Sequence, residues 1–114
     1  MSIELEKRFE TFALNVRDFC IKLKWDLINS EYIRQLIRSS GSVGANYIEA
    51  SDDIGKKDEK MKIKIARRGS KESIYWLNLV LTYKNQILEK ERLDLTDEAG
   101  QIKKILSAIL GKLN

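Results

Sequence analysis

The sequence predicts an all-α protein: an antiparallel up-down four-helix bundle that forms a single domain over residues 1–114. Apolar residues recur at spacings of three and four along most of the chain, as in amphipathic helices. Proline is absent and only six residues are glycine. The connections between the periodic stretches are short, which is typical of antiparallel helical neighbours. A period of two, which indicates a strand, occurs only at Met61–Ile65, where the longer helical pattern overrides it.

The first two helices are predicted over Ile3–Lys24 and from Asn29 or Ser30 onward, since either residue can cap a helix. The following stretch, Arg38–Ala50, is ambiguous by propensity. Its two glycines and three serines suit a loop, or a helix whose small residues let a neighbour approach closely. Val43, Tyr47 and Ala50 continue a helical spacing and favour the helix. Gly55 is predicted to be its left-handed cap.

The third helix is the element around which the chain is organised, predicted over Lys56–Glu89 and ending near Glu91–Arg92. Its core face is predicted to hold Met61, Ile65, Gly69, Ser73, Trp76, Val80, Tyr83 and Ile87. The same helix also carries a second apolar seam, and one helix of a four-helix bundle needs only one apolar face. The seam is therefore a candidate oligomer interface, with members Ile74, Leu77, Leu81 and Leu88. The fourth helix is predicted from Thr96 or Asp97, with an apolar stripe of Ile102, Ile105, Leu106, Ile109, Leu110 and Leu113.

The opposite side of the third helix is purely basic. Within an arc of roughly 100° it carries six cations and no acid: Lys57, Lys60, Lys64, Arg67, Arg68 and Lys71. Solvated helix faces usually mix signs, so this pattern is compatible with contact to nucleic acid. A solvated face and interfacial salt bridges are the alternatives. Tyr75, at the edge of this stripe, is a candidate for stacking on a base.

Several functional classes are disfavoured by composition. Histidine is absent and Cys20 is the single cysteine, which argues against histidine-dependent catalysis, ordinary zinc sites and a disulfide within the chain. We therefore expect no enzymatic activity, metal site or cofactor, and a buried Cys20. The net charge of +4 is a mild bias toward anionic partners. No run has the length of a membrane span and no signal peptide is apparent, so the expected location is the cytoplasm.

Two segments carry a resemblance to a known family. Arg38–Ala50 (RSSGSVGANYIEA) and Ile65–Leu77 (IARRGSKESIYWL) look like the signature of the bacterial four-helix-bundle proteins encoded by intervening sequences in 23S ribosomal RNA genes. The resemblance implies a left-handed bundle, a ring-shaped homopentamer, a helical Ser39–Ala50 and no established enzymatic activity. It also implies that Asn46 and Glu49 form a structural polar cluster, for which Arg67 or Arg68 is the expected partner.

The expected function is that of an oligomeric, non-enzymatic protein that binds RNA or DNA without reading its sequence, or of a scaffold. A more distant resemblance is to the accessory proteins of diversity-generating retroelements, which are basic and pentameric and bind nucleic acid and a reverse transcriptase. The alternative expectation is therefore a protein-interaction adaptor, for example one accessory to a reverse transcriptase. No membrane partner is expected.

Overall fold

Four helices make up the computed structural model, which describes residues 2–114 and has no strand in that range: α1 (Ile3–Lys22), α2 (Leu27–Ser51), α3 (Lys56–Leu79) and α4 (Gln86–Leu113). Helix α2 packs against α1 and α3, and α4 packs against α3 and α1. The helices thus enclose one core within an envelope of 45 × 22 × 20 Å. The prediction of an all-α chain with four helices is confirmed, as is the helical conformation of Ser39–Ala50.

Side-chain caps fix three of the helix starts. The Ser2 hydroxyl accepts a hydrogen bond from the Leu5 amide (3.1 Å), and the Asp26 carboxylate accepts one from the Asn29 amide (2.8 Å). Asn85 caps α4 in the same way. Because Asp26 is the cap, α2 begins earlier than the predicted Asn29 or Ser30. Helix α1 ends at Lys22 and not at Lys24.

The prediction of one long third helix through Glu89 is wrong. Helix α3 ends at Leu79, and Val80–Asn85 connects it to α4. Tyr83 and Lys84 adopt left-handed backbone conformations, with φ of 54° and 65°. The predicted start of the fourth helix at Thr96 or Asp97, and the residues between it and the predicted end of the third helix, therefore lie inside α4. The apolar spacing happens to continue across the break, which is why periodicity alone did not reveal it.

The buried face of α3 also differs from the predicted one. Its buried residues are Ile63, Ala66, Gly69, Ser70, Ser73 and Leu77. Gly69 and Ser73 are correctly predicted, but Met61 is 51% exposed, and Ile87, which belongs to α4, is 73% exposed. Trp76 is half-buried and packs against the core from its edge. The real core stripe is rotated by part of a turn because the predicted one was fitted to residues beyond the helix end.

Small residues bring α2 and α3 into close contact. A Cβ atom placed on Gly69 would lie 2.8 Å from the Ser39 carbonyl oxygen. The Ser39 and Ser73 hydroxyl oxygens are 2.9 Å apart, and Ser73 donates to the Gly69 carbonyl at 2.8 Å. The glycine therefore permits a helix separation that any larger residue would prevent.

One buried amide joins the two connections at the same end of the bundle. The Asn29 side chain donates to the carbonyls of Lys24 (3.0 Å) and Leu81 (2.8 Å) and accepts from the Leu81 amide (2.8 Å). Tyr83 also donates to the Asp26 carboxylate, which raises the pKa of Tyr83 and lowers that of Asp26. The α3–α4 connection is thus held in place although two of its residues have positive φ.

Cys20 is buried as predicted, and burial raises the pKa of its thiol to about 12. None of the helices in residues 2–114 is long and apolar enough to span a membrane.

Candidate nucleic-acid interface

None of the six predicted cations of α3 is buried in the core. Lys57, Lys64, Arg68 and Lys71 are exposed, and Lys60 and Arg67 are half-buried. Within residues 2–114, none of the six forms an ion pair with an acidic side chain. The helix therefore presents positive charge that the protein itself does not neutralise.

Helix α4 extends this surface with a seventh cation. Lys103 lines one shallow depression of about 290 Å³ together with Arg67, Arg68 and Lys71. Arg67 reaches across to α4, where its Nη1 donates to the Ser107 hydroxyl at 3.4 Å. Lys103 was not predicted, because only the packing of α3 on α4 brings it close to the stripe. We call the surface formed by Lys103 and the six predicted cations of α3 the basic surface: Lys57, Lys60, Lys64, Arg67, Arg68 and Lys71.

An open groove continues from the end of the basic surface. It measures about 700 Å³ and is lined by Arg68, Lys71, Lys103, Tyr75 and Trp76, with Glu72 as its one acid. Tyr75 is 59% exposed, and its ring meets the Trp76 ring edge-on, with centroids 5.0 Å apart and planes at 77°. Trp76 in turn packs against Tyr32, 6.1 Å between ring centroids. We call this feature the aromatic groove.

The predicted polar cluster does not involve Arg67 or Arg68 in the described residues. The Asn46 side-chain amide donates to the Ser42 carbonyl (2.8 Å) and hydroxyl (3.0 Å) one turn earlier in α2. Glu49 is exposed and forms an ion pair with Lys62 of α3. Only the Glu49–Lys62 contact joins α2 to α3, and the prediction that Arg67 or Arg68 is the partner of this cluster is wrong.

The predicted second seam does not form a single surface. Leu77 is fully buried in the core of the chain, and Leu88 is buried on α4, a different helix. Ile74 is half-buried and Leu81 lies in the α3–α4 connection. The four leucine and isoleucine positions were grouped by extending α3 past its end, so they cannot act together as one interface.

A different apolar surface lies between α1 and α2. It is a groove of about 490 Å³ whose apolar lining includes Ile3, Ala13, Ala45 and Ile48. Sequence reasoning missed this groove, because the small residues of α2 were assigned to packing against a helix of the same chain.

The part of the chain that the structure describes contains no cluster of metal-ligating side chains. No group of three His, Cys, Asp or Glu side chains there could hold a metal ion.

Residues 3–108 match the family model described as 23S rRNA-intervening sequence protein. The chain belongs to this family. Family membership agrees with the resemblance found in Arg38–Ala50 and Ile65–Leu77, both of which lie inside the matched range. No curated protein sequence matches the chain significantly.

A solved structure shares the family's fold with this chain. It is the crystal structure of a protein of unknown function from the S23 ribosomal protein family of Bacteroides thetaiotaomicron VPI-5482. The two are 25% identical, with a TM-score of 0.77 over 92% of this chain and 96% of that chain. The helix arrangement therefore recurs in a protein that shares about a quarter of the sequence.

Proposed function

We propose that the chain is an oligomeric, non-enzymatic protein of the cytoplasm that binds RNA or DNA through its basic surface without reading the base sequence. Its bundle is antiparallel and left-handed, and its assembly is a ring-shaped homopentamer. The observation that carries the proposal is the basic surface itself, in which cations from two helices lie together without an acidic partner in residues 2–114.

Such a surface has a cost that a polyanion would offset. Like charges at i and i+4 destabilise a helix by about 0.2–0.5 kcal/mol per pair. Binding to phosphates removes that repulsion and releases condensed counterions, which is the main source of sequence-independent affinity. From Lys57 to Lys71 the surface extends about 21 Å at 1.5 Å per residue. That length corresponds to roughly six nucleotides of one strand at 3.4 Å each.

The α1–α2 groove supports the oligomeric part of the proposal. Its lining is mostly apolar, and Ile3 and Ile48 in it are 74% and 51% exposed. Exposed apolar surface of this kind marks an interaction site in many proteins. A ring would repeat the basic surface in every subunit, so weak contacts would combine into useful avidity. Light scattering measures the number of subunits directly.

A protein-interaction adaptor is the second candidate, because the same groove could instead hold a protein such as a reverse transcriptase. Pull-down from cell extract with and without nuclease separates the two functions. A protein partner that survives nuclease digestion favours the adaptor, whereas a partner lost on digestion was held through nucleic acid.

The deciding experiment compares two variants that each lower the net charge from +4 to 0. The first carries Lys60→Gln, Lys64→Gln, Arg67→Gln and Lys71→Gln. The matched control removes four cations outside both the basic surface and the α1–α2 groove: Arg17, Arg34, Lys90 and Lys112. Fluorescence anisotropy with a labelled single-stranded RNA is recorded at about 50 and about 200 mM salt.

The basic-surface variant is expected to bind at least tenfold more weakly, and its log–log salt slope to be shallower by about 2.8 in magnitude, or 0.7 for each of four phosphate contacts. The control is expected to retain most of the affinity and slope. Equal effects in the two variants would mean that only net charge matters. An unchanged RNA affinity in the basic-surface variant would refute the proposed function.

A further inference from the structure

We propose that the aromatic groove holds an unstacked base of a single-stranded nucleic acid whose phosphates lie on the basic surface, so that the protein prefers single strands to duplexes. The inference rests on the proposed function and adds the class of nucleic acid to it. It is carried by the position of Tyr75, an exposed ring at the point where the basic surface ends and the groove begins.

Tyr75 is held in a position that suits stacking. The Tyr75 ring is in edge-to-face contact with the Trp76 ring, and Trp76 is itself packed against Tyr32. The remaining ring surface is open, since 59% of the residue is exposed. An aromatic ring that is fixed before binding loses little conformational freedom when a base stacks on it. Every base has a π-face, so such stacking tolerates any sequence.

The groove brings cations close to the Tyr75 ring. Arg68, Lys71 and Lys103 line it together with Tyr75. Tyr75 follows Lys71 by four residues, so the two lie on the same side of α3 and about 6 Å apart along its axis. Glu72, the one acid of the groove, repels phosphate. The backbone of a strand is therefore directed to the cations and its base toward the ring.

A duplex can use only half of this arrangement. Its phosphates can reach the basic surface, but its bases are paired and stacked, and extruding one costs a few kcal/mol. A single strand can place a base on Tyr75 without that cost. The predicted difference between the two ligands comes from the tyrosine ring and not from charge.

The test uses three labelled probes: oligouridine RNA and oligothymidine DNA of about 12 nucleotides, twice the roughly six-nucleotide span, and an RNA duplex of about 12 base pairs. Tyr75→Leu removes the ring, and Tyr75→Phe keeps it. Trp25→Leu is the control, because Trp25 is an exposed aromatic residue outside the groove. Circular dichroism melting checks that each variant is folded.

Tyr75→Leu is expected to weaken binding of a single strand by roughly 5- to 150-fold while changing duplex affinity by less than about twofold. Tyr75→Phe and Trp25→Leu are expected to bind like the wild type. In the Trp25→Leu protein Trp76 is the remaining one of two tryptophans. Its emission should change on adding unlabelled single strand and stay constant with duplex, because only a base in the groove approaches it.

Two results would overturn the inference and leave the proposed function intact. One is wild-type affinity of Tyr75→Leu for both kinds of ligand, and the other is an equal loss for single strand and duplex. Absence of binding by the wild-type protein to all three probes would instead refute the proposed function.

Discussion

The two boundaries of α4 treat positive charge in opposite ways. Toward α1, each cation has an acidic partner: Arg8 donates to both carboxylate oxygens of Glu98 (2.9 and 2.7 Å), and Lys22 contacts Glu91 at 2.5 Å. Toward α3, Lys103 and Ser107 of α4 line one depression together with cations of α3. Arg67 donates a hydrogen bond there to the neutral Ser107 hydroxyl. Acids of α4 thus pair with cations of α1, whereas no ion pair joins α4 to α3 within residues 2–114.

The charges at the α1–α4 boundary hold two helices together, whereas the cations at the α3–α4 boundary can bind an external anion. The hydrogen bonds to Glu98 raise the pKa of Arg8, so this contact favours the charged guanidinium. A half-exposed pair of this kind contributes modestly to stability. The α3–α4 boundary has no ion pair in residues 2–114 and therefore lacks this contribution to stability. Helix α3 is stabilised by its packing on both neighbours, and on its opposite side Gly69 packs closely on α2.

The largest expected effect is on that opposite side. Gly69→Ala would place a Cβ 2.8 Å from a backbone oxygen of α2, which no side-chain rotation relieves. We expect the free energy of unfolding to fall by about 1–3 kcal/mol, as for other overpacked cores. Urea denaturation measures it. Gly100→Ala is the control: nothing lies within 4 Å of the added Cβ, so helix propensity should raise stability by about 0.5–1 kcal/mol. A stabilised Gly69→Ala would contradict the close packing.

The second prediction converts the unpaired boundary into a paired one. Ser107→Glu places a carboxylate beside Arg67 and one turn from Lys103. Affinity for single-stranded RNA should fall about three- to tenfold and the salt slope should become shallower by about 0.7, since roughly one phosphate contact is lost. Stability should change by less than about 0.5 kcal/mol. Ser107→Gln, of similar size and without charge, should bind like the wild type. If the two variants bound equally, the carboxylate would be irrelevant.

The smallest expected effect comes from unpairing the other boundary. Glu98→Gln removes the carboxylate that Arg8 contacts and should lower the free energy of unfolding by about 0.5–1 kcal/mol. RNA affinity should be unchanged, because the freed cation is remote in sequence and lies between α1 and α4. Asp94→Asn, in the more exposed Lys90–Asp94 pair of α4, should cost less than about 0.5 kcal/mol. Thermal and chemical melts measure both variants. A gain in RNA affinity in Glu98→Gln would mean that any unpaired cation of the bundle can bind phosphate.

The sequence predicted the class of fold and the composition of the basic stripe because both depend on local spacing. Positions 57, 60, 64, 67, 68 and 71 fall on one side of any helix, whatever packs on the other. The end of α3 was not predictable by the same reasoning. Val80, Tyr83 and Ile87 continue the apolar spacing, and the connection contains neither proline nor glycine. Its local signal was Asn85, whose side chain caps α4.

Features that depend on how helices pack could not be derived from spacing. Lys103 is separated from Lys71 by a full connection and much of α4, so its place on the basic surface follows only from the α3–α4 contact. Asn29 looked like a cap, yet it is buried and bridges two connections, a role set by Leu81 more than fifty residues later. The α1–α2 groove was missed for the same reason.

The inert thiol of Cys20 makes the protein convenient for site-directed labelling. A thiol that is buried and has a pKa of about 12 is scarcely ionised at neutral pH and reacts slowly with maleimides or oxidants. A second cysteine introduced at an exposed position outside the basic surface can thus carry a dye or spin label without removal of the native one. Distances between labelled subunits, or between a label and a bound strand, become measurable in an otherwise unaltered chain.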